Sequence, residues 1–173
     1  MDDLVPRWVR IGLGVALAPA QLLTGLWAVV ATRSWFDDFP GLGPALVAAE
    51  PPFNAHLASD AGGGFLATGV ALAAAAVLAR RSAVYVALLA YLSLALPHLA
   101  YHAANPAAGL SGTAQAVNLA MLSSGVAMAM LLGWGTWSSA GARDRARTRT
   151  PTPSRGSERH TAAPSRPGDR GAT

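Results

Sequence analysis

The chain has 173 residues, 52% of them hydrophobic and only 13% charged. A soluble domain carries about 25% charged residues, so most of this chain cannot form an ordinary water-exposed surface. All thirteen basic residues are Arg, the formal net charge is +4, and Cys is absent, which excludes disulfides, thiolate metal sites and thiol catalysis.

Met1 to Arg10 is a short amphipathic lead containing Asp2, Asp3, Arg7, Trp8 and Arg10. It is followed by an apolar run over about 9–31, which as a helix spans about 34 Å and crosses a hydrocarbon core of about 30 Å. The run is longer than the apolar region of a secretory leader and is interrupted by Pro19 and Gln21, so it reads as a transmembrane span and not as a cleaved signal. Gln21 and Thr24, three residues apart, give it one polar edge that should face other helices.

Residues 32–60 form an acidic loop, with Asp37, Asp38, Glu50 and Asp60 against Arg33 alone. Trp35, Phe36 and Phe39 are interleaved with the aspartates, as rings at headgroup level are. Pro51 and Pro52 should break the chain, and a new helix should start near Phe53, ahead of a second span over about 61–79. On that helix His56 and Asp60 share one face, and Gly62 and Gly63 admit a close neighbour.

Arg80-Arg81-Ser82 leaves room only for a tight turn, so the third span, about 83–102, should run antiparallel beside the second. It is an uncharged run that closes on His98 and His102, one helical turn apart. A Gly- and Pro-containing turn with Ser111 or Thr113 as cap leads to the fourth span, about 114–134, which opens with Gln115 and Asn118 on one face. Residues 141–173 hold eight Arg, three acids and no large aliphatic side chain, the composition of a disordered tail.

Twelve of the thirteen Arg fall before span one, between spans two and three, or after span four. By the positive-inside rule these connections are cytoplasmic, and with an even number of spans so are both termini. The expected fold is therefore all-α: a polytopic, antiparallel four-helix transmembrane bundle with a cytoplasmic tail. High-Arg, high-Ala usage suggests a high-G+C bacterium, and its plasma membrane is the expected location. The isoelectric point near 10.6 does not point to nucleic acid, because the excess positive charge lies in the tail. There it would meet anionic lipid headgroups.

This topology brings His56, Asp60, His98, His102, Gln115 and Asn118 to the outer membrane face. Polar groups are costly in hydrocarbon, so the one-sided cluster points to a site that binds a small ligand or relays protons. His56, Asp60, His98 and His102 are also a candidate ligand set for a divalent metal such as zinc, with Gln115 and Asn118 orienting them. The alternative is an accessory subunit, in a homo-oligomer or a membrane complex, whose polar residues only secure helix packing.

Three motifs, F-D-D-F-P-G at 36–41, F-N-A-H-L-x-x-D at 53–60 and P-H-x-x-Y-H at 97–102, give a resemblance to small, uncharacterised four-helix membrane proteins of high-G+C bacteria, broadly DoxX-like. The resemblance covers about 8–134. In that group the second motif is usually Y-N-E-H, whereas here Phe53 replaces the Tyr and Ala55 the Glu. It implies the four-helix fold. DoxX-like relatives are linked to quinone-side redox chemistry, but no residue here carries that activity over.

Overall fold

A computed structural model describes residues 4–149. Helix α1 is Arg7–Val30, with wider π-type turns over Gly12–Leu17. Pro19 lies just beyond those turns; it has no N–H to donate to the carbonyl of Val15, and the change of turn absorbs that missing bond. A break at Ala31 (φ −132°, ψ 57°) separates α1 from the short helix α2, Thr32–Asp38.

Helix α3, Ala55–Leu78, begins two residues later than Phe53, because Asn54 is the better start. Its side-chain oxygen accepts the Leu57 N–H at 3.1 Å, satisfying a donor that the first turn leaves free. Only Ala79 and Arg80 separate α3 from α4, Arg81–Ala104, as the tight turn requires. Helix α5 is Gly112–Arg149, and its first turn is capped by Ser111, whose Oγ accepts the Ala114 N–H at 3.2 Å. The helix runs past the tail boundary expected near 141. Residues 150–173, the rest of that expected tail, lie outside the described residues.

Among the described residues four helices are long and apolar enough to cross a membrane: Arg7–Val30, Ala55–Leu78, Arg81–Ala104 and the Gly112–Ser139 part of α5. No strand occurs among these residues. Val9, Leu13, Leu72, Val84, Leu88 and Leu132 form the heart of the core. The outside is equally apolar, with Val15 73% and Val77 79% exposed, and an apolar exterior of this kind suits lipid better than water.

Small residues set the tightest seam, between α1 and α3. A Cβ built on Gly25 would lie 2.6 Å from the Leu66 backbone nitrogen and 2.8 Å from the Gly62 oxygen. One built on Gly62 would lie 2.8 Å from the Ala28 Cβ, and one on Gly69 would lie 2.9 Å from the Leu22 backbone nitrogen. The backbones therefore approach as closely as glycine allows. Within the seam the buried Thr68 hydroxyl sits 2.9 Å from Gln21 Oε1, so the polar edge expected on α1 does face a neighbouring helix.

Arg10, Arg80 and Arg81 gather at one end. The Val5 N–H donates to Ala79 O at 2.8 Å, Arg10 Nε to Ala76 O at 3.1 Å, and Arg81 Nη2 to Ser139 Oγ at 3.3 Å. The far end is closed by α2 and the segment 39–54. There Arg33 pairs with Asp37 at 2.6 Å and lies over the Phe53 ring, Phe36 meets Phe53 edge-on, and Trp35 turns inward and is buried.

Candidate ligand cavity at the far end of the bundle

A cavity of about 610 Å³ opens inside the far half of the bundle. Its walls come from every long helix and from the 32–54 segment. Helix α1 supplies Ala20, Gln21 and Thr24, helix α3 Ala61 and Phe65, and helix α5 Met121, Met128 and Asn118. Trp35, Phe39, Leu46, Val47 and Glu50 close it above, and Tyr91, Ala95, His98 and His102 of α4 line one side from deep interior to helix end. Volume and lining, mostly hydrocarbon with a few polar groups, match a small-molecule pocket, for which about 300–1,000 Å³ is usual.

Glu50, His98, His102 and Asn118 gather toward the far end, while Gln21, Tyr91 and Ser124 are further polar groups of the lining. His98 and His102, one turn apart, stack edge-to-face with ring centroids 4.7 Å apart, and Phe65 supports His98 from α3 at 6.4 Å. His102 Nδ1 faces Glu50 Oε1 at 4.0 Å, beyond hydrogen-bond range. Both atoms are buried and, like Trp35 Nε1, have no hydrogen-bond partner among the described residues. Unmet buried polar atoms are costly, and three of them around one cavity form a cluster suited to groups that a bound molecule would bring.

The residues expected from sequence divide into two sets. His98, His102 and Asn118 line the cavity, and Asn118 is buried at 7% exposure. Gln115 acts one step away: its Nε2 donates to the His102 carbonyl at 3.1 Å, tying the end of α4 to the start of α5. His56 and Asp60 do share a helix face, with Nε2 3.4 Å from Oδ2, but their side chains are 83% and 64% exposed and neither lines the cavity. The four-residue metal set is therefore not assembled, and among the described residues no three His, Asp or Glu side chains are grouped as a metal site needs.

Glu50 is the cavity-lining residue that the sequence leaves among ordinary loop acids. Its only signal is its place directly before Pro51-Pro52, where the chain turns back toward the bundle, and no spacing rule selects it over Asp37, Asp38 or Asp60. Compared with family models, curated proteins and solved structures, the chain matches none.

Proposed function

We propose that this protein is a multi-pass integral membrane protein of the bacterial plasma membrane that binds a small, mainly apolar molecule with one polar end. The observation carrying this reading is the cavity itself, mostly apolar along its length, with Glu50, His98, His102 and Asn118 gathered toward its far end. In the antiparallel four-helix bundle proposed here, the α1–α3 pair fits the contacts of Gly14 with Ala76, Leu22 with Gly69 and Ala28 with Gly62, in which one number rises as the other falls. With the Arg7, Arg10, Arg80 and Arg81 end in the cytoplasm, the polar end of the cavity lies toward the outer leaflet. The likeness to DoxX-like proteins supports the four-helix reading through the three quoted motifs and carries no activity.

Topology has a direct check. Reporter fusions after Arg81 and after Gly141 should report cytoplasm, and a fusion after Glu50 the outside; the reverse pattern would invert the bundle and put the cavity toward the cytoplasm.

Binding is tested on the purified full chain in lipid nanodiscs, by organic extraction and mass spectrometry. Wild type should retain a non-phospholipid molecule at close to one per chain, and Ala95→Phe and Ala20→Phe, which fill the cavity from α4 and from α1, should each lose it. Identical extracts from all three proteins would leave the accessory-subunit reading in its place.

A further inference from the structure

The cavity reaches deep into the bundle. From Tyr91, deep in α4, to His102 at its end is eleven residues, or about 16 Å of helix. Its volume of about 610 Å³ lies within the range usual for one small molecule. Such a space accepts one small molecule, such as a single hydrocarbon chain with its head group, and not a whole two-chain phospholipid.

Charge at the polar end restricts the head group further. Glu50 is the only Asp, Glu, Lys or Arg among the lining residues, and no guanidinium faces it across the cavity. A carboxylate or phosphate head would be held against the Glu50 carboxylate, with no Lys or Arg in the lining to offset the repulsion. An ammonium head fits Glu50 but has no lone pair for Trp35 Nε1, which can only donate and has no partner among the described residues. A hydroxyl satisfies both demands, donating to a carboxylate oxygen and accepting from an indole or imidazole N–H.

Resting on the binding reading above, we infer that the cavity takes an elongated, neutral, single-chain amphiphile with a terminal hydroxyl, and that Glu50 sets this specificity by rejecting anionic heads. Glu50 is thus a specificity-determining residue of the site, and the outward-facing Asp60 has no part in it.

The probes are dodecanol, dodecanoate and dodecylamine, which share one chain and differ in the head. Tritiated dodecanol is bound to the full-length protein in nanodiscs at neutral pH, and the signal surviving in Ala95→Phe and Ala20→Phe is subtracted as lipid partition. Unlabelled dodecanol should displace the remainder, with dodecanoate and dodecylamine each about tenfold weaker. Glu50→Gln, which keeps the shape and removes the charge, should bring dodecanoate to within about twofold of dodecanol, and Glu50→Ala should relax the discrimination in the same way. Dodecanoate or dodecylamine competing as well as dodecanol on wild type would overturn the inference, as would selectivity unchanged in both Glu50 variants. If there is no saturable binding for the filled variants to remove, the binding reading itself falls.

Discussion

Gly25→Leu is expected to separate α1 from α3 and to cost the bundle about 3 kcal/mol or more, at the upper end of what overpacking costs. The reason is the nature of the atoms met. At Gly25 the first added carbon reaches the Leu66 backbone nitrogen and the Gly62 carbonyl oxygen, which no change of rotamer can move aside. The helices must part, and the Thr68–Gln21 contact and the packing of Leu22 on Gly69 go with them. Gly63→Leu and Gly64→Leu are the matched controls, because a Cβ at either position meets nothing within 4 Å. Thermal unfolding in a single detergent, followed by far-ultraviolet circular dichroism, should show a large fall in midpoint for Gly25→Leu and little change for the controls. Equal falls for all three would mean that leucine is costly anywhere on these helices and that no special seam exists.

The same seam explains what could be read from the sequence and what could not. Helix existence was legible because length, apolar runs and punctuation agree: Asn54 and Ser111 cap where polar residues precede apolar ones, and Arg80-Arg81 leaves no room for more than a turn. Facing was not legible, because these helices are apolar nearly all round and no amphipathic stripe says which side meets a neighbour. The period of a helix makes His56 and Asp60 neighbours of one another, and that much is observed at 3.4 Å. It does not say where their common face points. Gly62 and Gly69 do, since they mark the side of α3 that α1 touches, and a step of two residues from Gly62 back to Asp60 turns through about 200°. Asp60 therefore looks outward and the carboxylate at the cavity comes from a loop instead.

That division of the histidines leads to the other large effect. His98→Leu and His102→Leu should each weaken retention of the bound molecule about tenfold, and the double variant about a hundredfold, as expected when hydrogen bonds of about 1–1.5 kcal/mol are lost from a buried site. Leucine keeps the bulk of the side chain, so the cavity wall and the fold should survive, and an unchanged unfolding midpoint checks that they do. His56→Ala and Asp60→Ala should leave retention unaltered, because both side chains lie on the exposed face of α3 and outside the cavity. Extraction and mass spectrometry of all five proteins in nanodiscs beside wild type separates the alternatives. Loss in the α4 variants alone assigns the chemistry to His98, His102 and the Glu50 that faces them. Loss in His56→Ala or Asp60→Ala with the α4 variants intact would move the site to the surface of α3. A deep apolar channel ending in imidazoles would then serve packing only, at the cost of leaving Glu50 Oε1, His102 Nδ1 and Trp35 Nε1 buried with no partner among the described residues.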